Sequence, residues 1–152
     1  MEVDIRSLFN LLEQTPEIIG RRLALLSEAE MRRRKADGSF SPVEDVCHLR
    51  DLEVEGFAVR INRILNEAEP VLADFDGGRI AAERDYNSQD IREALETFAL
   101  ARNQNLDRLR ALPAEQLARE GILEGVGRVS LKRLLSLMRE HDEGHLEMFG
   151  LP

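Results

Sequence analysis

Apolar residues recur at steps of three and four over long stretches of this chain, and that spacing commits it to helices that each bury one face. Leu8, Leu11, Leu12, Ile18, Ile19, Leu23 and Leu26 mark a first helix over residues 4–27, with Pro16 predicted to kink it near 14–15. The second has the sharpest start. Ser41 is a natural N-cap, Pro42 fits the first helical position, and Glu44 completes a capping box three residues on. It is predicted to run to about Asn66, before Pro70. A third helix spans Asn87 or Ser88 to Ala111, where Leu112-Pro113 ends it. Ser130 caps a fourth that reaches Phe149. Between them lie loop 67–87 with Gly77-Gly78, and segment 113–129 with a turn at 114–117 and a bend of Gly121, Gly125 and Gly127. No stretch sustains the alternation of a strand. The expected architecture is therefore all-α, a four-helix bundle forming one domain over 1–152.

Composition agrees and narrows the function. Leu occurs 23 times, against one Tyr, six Phe and no Trp, a bias toward helix over sheet. Twenty-one Lys and Arg face 29 Asp and Glu, a formal net charge of −8. Nucleic acid is bound mainly by neutralising phosphates, so no nucleic-acid partner is expected. The basic run Arg32-Arg33-Arg34-Lys35 leads into Ala-Asp-Gly-Ser and reads as a solvated segment between helices. Cys47, the only cysteine, can form neither an internal disulfide nor a Cys-based zinc site. No apolar run approaches the 18 or so residues that span a bilayer, and MEVDIRSLFN lacks a signal-peptide pattern. The expected setting is the cytoplasm, with no membrane partner.

Placing residues at about 100° per step puts His141 and His145 within the apolar arc of the fourth helix. They are four apart, so their rings project side by side from one face. His48, the third and last histidine, borders the apolar arc of the second helix, which comprises Val46, Leu49, Leu52, Phe57, Val59 and Ile64. A single inward histidine is ordinarily a hydrogen-bonded core residue. Three that converge form a candidate site for a divalent transition metal such as Zn, Ni or Fe, with a position left for water or substrate. The stretch His-Asp-Glu-Gly-His is neither of the known metalloprotease helices, because Asp142 and Gly144 stand where the glutamate would be. A di-iron carboxylate bundle fits poorly. Asp45-x-x-His48 and Asp142-x-x-His145 imitate its spacing, but Glu13, Glu17, Glu93 and Glu96 fall outside the apolar stripes.

Three charges share those arcs: Asp142, Glu53 amid Val46, Phe57 and Ile64, and Arg102 amid Leu95, Phe98, Leu106 and Leu109. An unpaired buried charge costs several kcal/mol, so Arg102 is expected to pair with Glu53, Asp142 or both. The alternative is that one of them reaches water at a helix end.

At these residues the chain resembles the DinB/YfiT-like family of metalloenzymes. The resemblance is carried by Thr15-Pro16, Gly38-Ser39-Phe40-Ser41-Pro42-Val43-Glu44 and His48-Leu49-Arg50-Asp51-Leu52-Glu53. It continues through Phe98-x3-Arg102, Glu124-Gly125-Val126-Gly127-Arg128-Val129-Ser130-Leu131 and His141-Asp142-x-x-His145-Leu146. It implies a bundle with a long crossover connection, a homodimer, and a metal triad of His48, His141 and His145. It also implies a small-molecule substrate and, in some members, a low-molecular-weight thiol as co-substrate for transferase or isomerase chemistry. Phe40 stands where the family commonly has Trp. Met148, three residues past His145, stands where it often has Gln.

A cation held by three neutral imidazoles keeps its charge and favours a thiolate, the form that attacks an electrophilic carbon. The same site could instead activate water for hydrolysis, or serve a non-catalytic metal- or ligand-binding bundle. Glu44, one turn before His48, is the nearest helical carboxylate for a general base, although capping already explains it. Tyr86 and Asp51 are weaker candidates, and Cys47 lies a quarter-turn round from His48 as packing.

Overall fold

The computed structural model describes residues 4–149. The first long helix, α1 (Ile5–Leu23), continues through Pro16 and ends earlier than the apolar spacing suggests. Ser27 accounts for the difference. It caps a separate turn, α2 (Glu28–Met31), through a capping box with Glu30, so that Leu26 belongs to a junction and not to α1. The second run begins as its sequence dictates: Ser41 Oγ accepts the Glu44 N–H at 3.2 Å, and Glu44 Oε1 accepts the Ser41 N–H at 3.1 Å.

That run is continuous but not uniform. α3 (Pro42–Asp51) passes through a π-helical turn, Leu52–Phe57, into α4 (Ala58–Asn66). The extra residue in the turn rotates the buried face. Phe57, Ile61 and Ile64 carry the core onward, while Val59, expected inside at a constant 100° per residue, is 47% exposed. Loop 67–87 contains α5 (Gly77–Glu83) and a 3₁₀ turn at Tyr86–Ser88. Asp90 caps α6 (Ile91–Arg110), accepting the N–H groups of Arg92 and Glu93. After a 3₁₀ turn at Ala114–Ala118, Ser130 caps α7 (Leu131–Met148).

The all-α expectation needs correction. β1 (Val71–Leu72), β2 (Glu120–Leu123) and β3 (Gly127–Ser130) form a small sheet in the order β1-β2-β3. β1 pairs parallel to β2, Val71 opposite Ile122. β2 pairs antiparallel to β3, Gly121 opposite Val129. The strands are too short for alternation to show in the sequence. The glycines that read as a bend instead build the hairpin: Gly125 and Gly127 both take positive φ, +81° and +106°.

α1 packs chiefly against α6 and α7, and α6 also against α3. The chain thus crosses the bundle between α1 and α3. Two apolar clusters fill the interior, one around Leu12, Phe57, Leu106 and Met138, the other around Ile19, Leu49, Phe98 and Leu146. Between them lies a polar layer with one residue from each long run: Thr15, Glu53, Arg102 and Asp142, all buried.

Candidate metal centre

The structure brings His48 of α3 together with His141 and His145 of α7. His141 Nε2 lies 3.3 Å from His48 Nε2 and 3.2 Å from His145 Nε2. One nitrogen from each ring falls within 4.8 Å of the others, and no fourth His, Cys, Asp or Glu joins this group among the described residues. Two nitrogens each about 2.05 Å from a tetrahedral ion stand about 3.3 Å apart. The observed separations match that edge. Three ring nitrogens aimed at one point also repel unless a proton or cation sits among them, so the donor set fits a divalent metal.

The surrounding groups prepare these nitrogens. Asp45 Oδ1 lies 2.8 Å from His145 Nδ1. A carboxylate only accepts, so Nδ1 carries the proton and Nε2 presents its lone pair. Burial raises the pKa of Asp45, while the His145 hydrogen bond pulls it down. His48 Nδ1 is buried without a hydrogen-bond partner. Gly77 covers that ring so closely that an added Cβ would stand 2.6 Å from its Cε1 and 2.8 Å from its Nδ1. Phe40 and Phe75 flank His48 at ring-centroid distances of 5.7 and 6.0 Å, and Phe57 meets His141 edge-on at 6.5 Å.

This apolar lining keeps two rings neutral. Burial, reinforced by the charge of His145, lowers His48 to about 4. Burial, then the charges of His145, His48, Arg102 and Arg60, lower His141 to about 3. Between those values and the ordinary 6.5, the unfolded chain binds protons that the folded chain does not. Stability therefore falls as pH drops from about 6.5 toward 4, by on the order of 3 kcal/mol for His48 alone in metal-free protein. Urea midpoints of chelator-treated protein between pH 7.5 and 4.5 test this. A flat profile would show that the rings are not held neutral by burial.

Immediately beside the histidines, Arg102 is 1% exposed and uses all five of its N–H donors. Nε donates to Glu53 Oε1 at 3.0 Å, and NH2 lies 2.9 Å from the same oxygen. NH1 and NH2 donate to Asp142 Oδ2 and Oδ1 at 2.7 and 2.9 Å. The last N–H, on NH1, goes to the backbone oxygen of Leu12 at 2.9 Å. Pro16 explains that acceptor. It stands four residues after Leu12 and has no N–H, so the Leu12 carbonyl lacks its helical partner. Thr15 Oγ1 donates to Asp142 Oδ2 at 2.7 Å, and Asn105 Nδ2 to Glu53 Oε2 at 2.9 Å. Burial works against the Arg102 charge, but Glu53 and Asp142 more than reverse it and raise its pKa.

The other sequence candidates are engaged elsewhere. Glu44 receives Arg34 through both oxygens, at 2.8 and 3.0 Å, in addition to its capping bonds. Burial raises the Glu44 pKa, but those donors leave it below the ordinary value. Tyr86 donates to Asp51, which Arg50 and Arg84 also hold. Cys47 is buried against Tyr86 and Gln89, and burial pushes its thiol up to about 11. Sequence reasoning misses Asp45 as a partner of the histidines, although it sits three residues before His48 and so on the same helical face. Gly77 and Phe75 give no local signal, because loop 67–87 reaches the site only in the fold.

The profile of the DinB superfamily matches residues 11–149. The chain belongs to that superfamily. Among solved structures, this DinB protein resembles YfiT from Bacillus subtilis, described as "a probable metal-dependent hydrolase with an unusual four-helix bundle topology". The TM-score is 0.85 at 18% identity, over 97% of this chain and 88% of that one. It also resembles the mycothiol-dependent maleylpyruvate isomerase, with a TM-score of 0.77 at 10% identity. That match covers 98% of this chain and 62% of the other, so this chain spans less than two thirds of the isomerase. No curated protein matches the sequence. Among the described residues no helix is long and apolar enough to cross a membrane.

Proposed function

We propose that this DinB protein is a divalent-metal-dependent enzyme in which His48, His141 and His145 hold Zn, Ni or Fe. Its reaction on this reading is S-transfer from a low-molecular-weight thiol to a small electrophile, in a cytoplasmic homodimer. The observation that carries the reading is the convergence of the three imidazoles, with His141 Nε2 3.3 and 3.2 Å from Nε2 of His48 and His145 and no fourth protein donor in the group among the described residues. When bound, the metal supplies Lewis acidity that favours a thiolate over its thiol or activates water. The protein's own part is orientation and exclusion. Asp45 fixes the proton on His145 Nδ1, and Phe40, Phe57 and Phe75 keep water from the imidazoles. The shared fold with a mycothiol-dependent isomerase supports the thiol chemistry. Likeness to YfiT favours hydrolysis as a second reading.

Elemental analysis of purified protein, followed by conjugation assays with a panel of cellular thiols and hydrolysis assays with esters and amides, tests both. Near-stoichiometric metal and chelator-sensitive thiol consumption are expected. Ester or amide cleavage without thiol consumption would replace the first reading with the second. Metal with no turnover of either kind would make the bundle a binding protein. Less than about a tenth of an equivalent of any transition metal would end both enzymatic readings, since the three imidazoles would then be structural.

A further inference from the structure

Arg60 is a buried cation that makes no salt bridge with the described residues. It lies on α4 just past the π turn and is 8% exposed. NH2 donates a long hydrogen bond, 3.3 Å, to the backbone oxygen of Ala73, and the guanidinium stands 5.4 Å over the Phe57 ring. No carboxylate among the described residues forms an ion pair with it. Burial pulls its pKa down, with the charge of Asp74 opposing. The contrast with Arg102 is direct: one buried guanidinium has every N–H matched, the other leaves most of its five donors open. None of its nitrogens is sealed from solvent without a partner, so the open donors face water that an anion can displace.

Its position supplies the anion's identity. Arg60 lines a cavity of about 120 Å³ together with Gly56, Phe75 and three further charged residues, Glu55, Arg63 and Asp74, of which Glu55 is paired with Arg84 and Arg63 with Glu67. Phe75 also packs against His48, and Phe57 against His141. A single aromatic ring therefore separates this cavity from the imidazoles on either path. We infer that Arg60 receives the carboxylate of a small organic acid, so that the substrate or its thiol partner is a carboxylic acid; this rests on the three histidines being the reaction centre. A carboxylate accepts two parallel N–H bonds from a guanidinium fork, the geometry that the open donors offer. The cavity holds a group of that size but not a bulky headgroup. The π turn is what delivers the residue, since the same extra residue that turns Val59 outward brings Arg60 in.

The test needs neither metal nor turnover, so its failure is separate from failure of the enzymatic reading. Labelled protein as purified is titrated with sodium propionate at constant ionic strength against sodium chloride. The arginine Nε–H resonances and the amides of Phe57 and Phe75 are followed by NMR. One arginine resonance should move saturably with propionate and be absent in Arg60→Met. Affinity should fall at least about tenfold in that variant. Arg60→Met should melt no lower than the parent, because it removes an unmatched charge. Arg60→Lys, which keeps the charge without the fork, guards against misfolding and should bind more weakly than the parent. No saturable shift, or equal propionate affinity in parent and Arg60→Met, would overturn the inference. A response to inorganic phosphate with none to propionate would overturn the carboxylate assignment.

Discussion

Arg102→Met should lower folding stability by about 3–5 kcal/mol, a large share of what keeps a domain of this size folded. The change keeps side-chain length but strands Glu53 and Asp142, each 1% exposed, without the cation they share. It also orphans the Leu12 carbonyl, which Pro16 already deprives of a helical donor. Urea denaturation with an unchanged dependence on denaturant reads this directly. Adding Glu53→Gln and Asp142→Asn should recover part of the loss, because the buried negative charges go with the positive one. A loss below about 1 kcal/mol for Arg102→Met would mean that water reaches the layer and that the network is not desolvated. The layer also sets axial register. Each long run contributes to it at least one polar residue flanked by apolar turns, so sliding a charged helix by one turn would bury a charge against Leu or Phe.

His48→Ala should weaken metal binding by more than about 100-fold, and Asp45→Asn by about 10- to 100-fold. The two losses differ in kind. The first removes a donor nitrogen. The second leaves all three donors and takes away only the negative charge that holds the proton on His145 Nδ1. Asn can still accept that hydrogen bond, so the ring keeps its place while its nitrogen becomes less basic. Competition against a chromogenic chelator at fixed pH ranks the three proteins. Equal affinity in all three would remove the histidines from metal binding. Equal affinity in Asp45→Asn and the parent, with His48→Ala lost, would confine Asp45 to packing.

The helices and the polar layer are legible because both are local in the sequence. Ser41-Pro42-x-Glu44 writes its own cap, and Arg102, Glu53 and Asp142 stand out as charges on apolar stripes. The histidines can be placed on facing helices for the same reason. The remainder depends on information that no single segment holds. The β-strands are two to four residues long, and β1 finds its partner about fifty positions away. Gly77 matters only because α5 folds back over His48. The π turn defeats a constant angular step, which leaves Val59 on the wrong face and hides Arg60 altogether. Pro16 signals a local disturbance of α1, but not that its missing donor frees a carbonyl for Arg102.

The spacing of the ligating rings along the chain has a mechanical consequence. His48 and His141 are separated by 93 positions. An ion gripped by both would act as a removable tether, fastening α7 to α3. Loop-closure entropy grows only slowly with length, so a tether this distant costs little more to form than a short one. Stripping the ion would release first the turn of α7 that carries His145, which lies beyond the contact of Asp142 with Arg102. Amide exchange would then quicken there while the middle of the bundle, clasped around Arg102, still resists.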